Sequence, residues 1–142
     1  MKYKSIILLF LCTVFLLVSC QQKQENIKDI SVKKISSFNT EDWKINIVPK
    51  KDHNKWVYDV EATYLKNKSI DVTIKPYSDN SKYGYKGYLK EPIIIPGNYE
   101  SKESVYSKEN NKVKVKLEWT ENGEDKLRQA EGEYELIPIK KR

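Results

Sequence analysis

The sequence predicts one all-β domain built from antiparallel strands. Apolar and polar residues alternate with a period of two in four segments. Because successive side chains of a strand point to opposite faces, each segment has one buried and one solvated face. Strands of this kind are typical of antiparallel sheets. Turn-forming residues separate the segments, and no stretch of the domain requires a long helix.

The elements follow in order along the chain. The four clear strands cover residues 43–47, 56–64, 70–74 and 113–119, and weaker alternation predicts two more over 83–89 and 132–137. Turns are predicted at 49–54, 66–69, 76–81, 96–98 and 121–124. The last turn contains Asn122-Gly123, which supplies the positive φ of a tight hairpin. Over its about 100 residues the domain is expected to contain seven or eight short strands, these six included, and this number favours a two-sheet immunoglobulin-like sandwich, with a small β-barrel as the alternative.

The start of the chain predicts an export signal. Lys2 and Lys4 precede a largely apolar stretch at residues 6–18, and a small residue, Ser19, comes directly before Cys20. The stretch is shorter than the about 20 residues that a transmembrane helix needs. The Ala-x-Ala-like cleavage site of an ordinary secretory signal is absent. Both of these alternatives are therefore less favoured than a signal that is cut before the cysteine.

The run Leu17-Val18-Ser19-Cys20 resembles the lipobox of bacterial lipoproteins. The resemblance implies that Cys20 receives a diacylglyceryl thioether and becomes the first residue after a signal peptide, 1–19, is removed. Residues 20–40 are then predicted to be a lipidated cysteine and a flexible tether, and residues 41–142 the sandwich domain. Ile30, Val32 and Ile35 leave open the alternative that a first edge strand begins inside the tether.

The composition excludes several classes of chemistry. Without residues 1–19 the chain has 123 residues, its formal charge falls from +6 to +4, and its one cysteine carries the lipid. A cysteine nucleophile, a thiolate metal site and a disulfide framework are thereby excluded. Arg128 and Arg142 are the only arginines, and acidic residues are interleaved with the lysines, so no nucleic-acid partner is expected. The run Lys140-Lys141-Arg142 is interpreted as a solvated tail rather than a contact for anionic lipid or wall polymer.

Few residues qualify as catalytic or metal ligands. His53, beside Asp52, is interpreted as an inert loop residue because no nucleophile or further zinc ligand accompanies it. The stretch 79–84 has only part of the ligand pattern of a calcium loop. Glu131, Glu133 and Glu135 are expected to pair across strands with lysines rather than to catalyse glycoside hydrolysis. No catalytic residue, metal or cofactor is therefore predicted.

Tyrosines concentrate in the middle of the sequence, where Tyr83, Tyr85 and Tyr88 lie in one predicted strand. Tyr supplies rigid amphipathic contact area and is enriched at binding surfaces. These three residues are the candidate binding surface, for sugar rings or a peptide. The alternative is that their rings fill the core or guard an edge strand.

Parts of the chain resemble small lipoproteins of low-GC Gram-positive bacteria, which combine a lipobox, a polar tether and one all-β domain of uncharacterised function. The resembling segments are the lipobox, the strand pair at 43–47 and 56–60, and the hairpin arm at 113–123. The resemblance implies no catalytic residues. It places the protein on the extracytoplasmic face of the cell membrane, or on the outer membrane if the source is Gram-negative.

Three functional hypotheses follow from placement and fold class. The first is a non-enzymatic, membrane-anchored module that binds a protein, peptide or wall polymer of the envelope. The second is an inhibitor or immunity-type lipoprotein that blocks a toxin or hydrolase. The third and least favoured is an envelope hydrolase, because no constellation of nucleophile, base and metal is visible in the sequence.

Overall fold

The computed structural model describes residues 26–36, 40–76 and 82–141, and it contains eight strands in this part of the chain. They are β1 (Ile27–Ser36), β2 (Trp43–Asp52), β3 (Lys55–Tyr64), β4 (Ser69–Lys75), β5 (Tyr83–Tyr88), β6 (Ile93–Ile95), β7 (Lys112–Glu121) and β8 (Arg128–Lys140). Every pairing between them is antiparallel.

The strands form two sheets that are not closed into a barrel. The larger sheet has the order β1-β8-β7-β4-β5, and the smaller has the order β2-β3-β6. The all-β, two-sheet prediction is therefore confirmed, and the alternative of a barrel is not what the chain adopts. Both sheets turn their apolar rows inward, as period-two alternation requires.

One hydrophobic core fills the space between the sheets. Its centre consists of side chains with no measurable exposure, contributed by β3, β4 and β7: Val60, Ala62, Ile74, Val115 and Leu117. These residues occupy the apolar positions of the alternating segments, whereas their lysine and glutamate neighbours lie on the solvated faces. Local sequence pattern thus decided which face of each strand is buried.

Strand β1 corrects the predicted boundary of the tether. The sequence assigned residues 20–40 to a flexible segment, but Ile27–Ser36 pairs with β8 along the edge of the larger sheet. The pairing is anchored by Ile30, which is buried, while most of its neighbours are exposed. A single buried side chain gives little periodic signal, so only the alternative of an early edge strand anticipated this element.

Two other segments are more extended than the sequence predicted. Strand β2 continues through Pro49, which lies opposite Tyr58, so that the loop is reduced to His53 and Asn54. Proline fits because β2 is an edge strand, where the absent N–H faces away from the partner. The last predicted strand, 132–137, is also longer in the structure, because β8 begins at Arg128 and pairs with β7 from that residue.

Candidate functional site

Strand β5 is the edge of the larger sheet and carries the three tyrosines of the candidate surface. It pairs with β4 through six consecutive positions, with Tyr83 opposite Ile74 and Tyr85 opposite Val72. Ile74 and Val72 face the core, so Tyr83 and Tyr85 lie on the inner face at the rim. Tyr88 lies opposite Ser69, on the outer face. The tyrosines therefore share one strand but not one face.

The three rings differ in accessibility. Tyr83 is 40% exposed and Tyr88 is 58% exposed, whereas Tyr85 packs against the hydrophobic core. The hydroxyl of Tyr85 donates a hydrogen bond of 2.8 Å to the carbonyl oxygen of Tyr88. Tyr85 thus has a structural role in β5, whereas Tyr83 and Tyr88 are available to a partner.

Gly87 explains how the ring of Tyr85 fits against its own strand. Gly87 has φ +132°, a backbone conformation that residues other than glycine rarely adopt. A Cβ built on Gly87 would lie 3.6 Å from the Tyr85 hydroxyl. The Tyr85 ring therefore covers the glycine, as an aromatic neighbour does at other edge glycines. This arrangement fixes the end of β5.

Positive charge accompanies the exposed tyrosines. Lys86 lies on the outer face of β5, and the exposed residues Lys82 and Lys90 lie just before and just after the strand. Lys86 reaches Asp71 of β4 at 3.6 Å, and both side chains are largely exposed. Such a solvated pair contributes little to stability, so Lys86 can exchange this contact for another carboxylate.

A buried carboxylate that the sequence did not single out lies at the end of β7. Glu121 is 1% exposed. It accepts hydrogen bonds of 2.5 Å from the Tyr64 hydroxyl and from Nζ of Lys68. The charged groups of Arg128 and Lys66 lie 3.5 and 3.6 Å from its oxygens. Because Tyr64 belongs to the smaller sheet and Glu121 to the larger, this network joins the two sheets at one end.

The charges of the network shift the titration of its members. The hydrogen bond from Lys68, followed by that from Tyr64, lowers the pKa of Glu121 to about 2. Burial, reinforced by the Glu121 carboxylate, raises the pKa of Tyr64, so its hydroxyl stays protonated and remains a donor. Glu121 is consequently ionised throughout the physiological range and acts as an anchor rather than as a proton carrier.

Aromatic rings close the network on its core side. Trp43 packs against Tyr64 with centroids 5.0 Å apart and meets Trp119 edge-on at 5.9 Å. The indole nitrogens of Trp43 and Trp119 and one terminal nitrogen of Arg128 have no hydrogen-bond partner within the described residues. Glu121 and its partners therefore hold the two sheets together, and this network is called the Glu121 clamp.

The alternating pattern contained a signal for Glu121. It follows Trp119 by two residues and therefore continues the buried row of β7, from Val113 to Trp119. Its charge and its position before Asn122-Gly123 favoured a turn instead. A charged residue in register with a buried row predicts a buried ion pair, because such a group is retained only with partners.

His53 occupies the tip of the β2–β3 hairpin with φ 54°. Its Nδ1 lies 3.0 Å from Oδ1 of Asp52, and its ring centroid lies 4.2 Å from that of Tyr99. The other oxygen of Asp52 accepts the backbone N–H of Tyr99 at 2.9 Å. That bond, followed by the one with His53, lowers the pKa of Asp52. The group fastens the loop after β6 to the hairpin.

The remaining candidates have ordinary surroundings or lie outside the described residues. Glu131 and Glu133 lie 3.4 and 3.9 Å from Lys114 and Lys112, which confirms the expected cross-strand pairing for these two of the three glutamates. The described part of the chain contains no group of three acidic, His or Cys residues arranged to hold a metal ion. Cys20 and residues 79–81 of the rejected calcium loop fall outside the described ranges.

Comparison with known proteins adds no relative. No protein-family model, no curated protein and no solved structure matches the chain. Within residues 26–36, 40–76 and 82–141 there is also no helix of the length and hydropathy needed to cross a membrane.

Proposed function

We propose that the protein is a non-enzymatic binding module, anchored by lipid on Cys20 to the extracytoplasmic face of a membrane, which holds an envelope partner at the edge strand β5. The observation that carries the binding role is the accessible pair Tyr83 and Tyr88 on this edge, beside the solvated Lys86. Exposed tyrosines are the residues from which contact surfaces are commonly built.

The anchor is supported by the signal pattern, and the number of residues between Cys20 and the domain limits how far the domain can lie from the membrane. Seven residue steps separate Cys20 from Ile27, the first residue of β1. Fully extended, these steps span about 25 Å, compared with about 65 Å for the longer tether that the sequence predicted. A lipid on Cys20 therefore holds the domain within about 25 Å of the bilayer surface, and two acyl chains make the attachment stable.

The attachment point lies at one end of the larger sheet. Ile27 pairs with Lys140, at the opposite end of β8 from Arg128. With Cys20 in the membrane, the tether therefore starts from the end of the sheet opposite the Glu121 clamp. Strand β5 then lies along the side of the domain, where a partner in the envelope can approach it.

Fractionation and capture from intact envelopes test the two parts of the proposal separately. Wild type is expected in the membrane fraction, and Cys20→Ala in the soluble fraction. For the capture, the protein is cross-linked to its neighbours in intact envelopes and then purified. The double variant Tyr83→Ser, Tyr88→Ser is expected to capture no partner, and its melting temperature is expected to equal that of wild type. Tyr99→Ser is the matched control, since Tyr99 is 37% exposed but lies away from β5.

Two results would contradict the proposal. Retention of Cys20→Ala in the membrane would refute the anchor. Capture of the same partner by the double tyrosine variant would refute the β5 surface. Turnover of wall polymer or peptide by the purified protein would instead support the hydrolase hypothesis.

A further inference from the structure

Three of the four sheet edges carry features that prevent another strand from pairing with them. Strand β2 contains Pro49 in its middle, and β6 has only three residues, between Pro92 and Pro96. Strand β1 is interrupted by two shifts of register with β8 and carries Lys33 and Lys34 side by side. Proline, short length, bulges and lysine are the usual means by which proteins block their edges.

Strand β5 lacks most of this protection. Its six residues pair with β4 without a shift of register, and it contains no proline and one charged residue, Lys86. Gly84 has no side chain that could cover its backbone, whereas Gly87, near the end of the strand, is covered by the ring of Tyr85. Its free side is therefore the edge of the described sheets that is most accessible to an incoming strand.

We propose that β5 binds its partner by strand addition, and that the bound segment of the partner is an extended peptide with acidic residues at alternate positions. This inference rests on the proposed binding function and specifies the chemistry of its ligand. Backbone hydrogen bonds to β5 supply the affinity, and alternate side chains supply the specificity. On the outer face the peptide meets Lys86, and on the inner face it meets Tyr83 at the rim. Acidic residues therefore belong on one face and apolar residues on the other.

The charge on β5 favours such a peptide over a second copy of the chain. In antiparallel self-pairing, matching faces require a register centred on a residue of the strand, and the registers with the greatest overlap are centred on Tyr85 and on Lys86. The two copies of Lys86 then lie directly opposite each other or about 8 Å apart diagonally, and like charges at such positions are unfavourable. An acidic strand in the same place is attracted to Lys86 and to the flanking Lys82 and Lys90.

The test uses the full-length protein in detergent micelles and a fluorescent peptide, Thr-Glu-Val-Glu-Val-Glu-Thr, with blocked ends. Binding is measured by anisotropy at low salt, and amide hydrogen exchange locates the site. The acidic peptide is expected to bind at least tenfold more tightly than the same peptide with Lys in place of Glu. Exchange is expected to slow in β5. Lys86→Glu should weaken binding at least fivefold, whereas Lys44→Glu, a matched exposed lysine on β2, should not.

Backbone methylation separates strand addition from simple charge attraction. Successive N–H groups of an extended peptide point to opposite sides, so only one alternate set can face β5. N-methylation of that set should abolish binding, and methylation of the other set should be tolerated. Equal tolerance of both sets, no slowing of exchange in β5, or an equal loss with Lys44→Glu would overturn the proposal. Cys20→Ala keeps β5 intact, so failure of the anchor leaves peptide binding unchanged and the two failures are distinguishable.

Discussion

Replacement of the buried carboxylate, Glu121→Gln, should destabilise the domain in a manner that depends on pH. In the folded state Lys68, Tyr64, Arg128 and Lys66 surround the carboxylate and lower its pKa from 4.5 to about 2. This difference corresponds to about 3 kcal/mol of stability at neutral pH. The estimate agrees with the about 3–5 kcal/mol that removal of one partner from a buried ion pair usually costs.

The sign of the pH effect follows from the lowered pKa. The stabilisation is fully present above pH 4.5, where the carboxylate is ionised in both folded and unfolded chains, and it is lost as the pH falls from 4.5 toward 2. At pH 3 about 1 kcal/mol of it remains. The difference between wild type and Glu121→Gln should therefore narrow by about 2 kcal/mol between pH 7 and pH 3.

Urea unfolding at the two pH values, followed by tryptophan fluorescence, measures this difference. Trp43 and Trp119 lie beside the network and report its loss directly. Glu131→Gln is the matched control, because its carboxylate is exposed beside Lys114 and its loss should cost less than about 1 kcal/mol. An equal difference at pH 7 and pH 3, or a cost for Glu121→Gln no larger than that of the control, would refute the electrostatic account.

Two further predictions concern backbone and edge packing. Gly97→Ala should destabilise the domain by about 1–3 kcal/mol, because a Cβ would collide with the carbonyl of Tyr58. Gly84→Ala should change stability by less than about 1 kcal/mol, because a Cβ there would make only an ordinary contact with the Val72 carbonyl oxygen at 3.9 Å. Equal melting temperatures of the two variants would contradict this prediction. Tyr85→Ser should lower the melting temperature, since the ring packs on the core and bonds the Tyr88 carbonyl, whereas Tyr88→Ser should leave it unchanged. A lower melting temperature for Tyr88→Ser than for Tyr85→Ser in calorimetry would contradict the structural role of Tyr85.

Much of the fold could be predicted from the sequence because it is encoded in local alternation. In β7 the period-two pattern identifies both the strand and its buried row, and Asn122 and Gly123 have the predicted positive φ angles. The predicted tight hairpin is wrong, however, because β8 pairs with β7 only from Arg128, which lies opposite Trp119. The order of the strands within the sheets could not be predicted in this way. It depends on pairings between distant segments, such as Trp43 with Trp119 across the two sheets, and no local pattern encodes them.

The candidate site shows the same division. The sequence placed Tyr83, Tyr85 and Tyr88 on one strand, but their separate roles depend on the position of β5 at the sheet edge and on the bond from Tyr85 to the Tyr88 carbonyl. Glu121 was missed because its charge was given more weight than its register with the buried row. Lipidation of Cys20 and the resemblance to lipoproteins stay predictions.

The mass of the N-terminal tryptic peptide of the membrane-bound protein tests the central claim most directly. The account predicts a peptide that begins at Cys20, ends at Lys23 and carries the mass of a diacylglyceryl group. A mature chain that begins at any other residue, or an unmodified Cys20, would contradict the anchor and with it the attachment of the domain to the membrane.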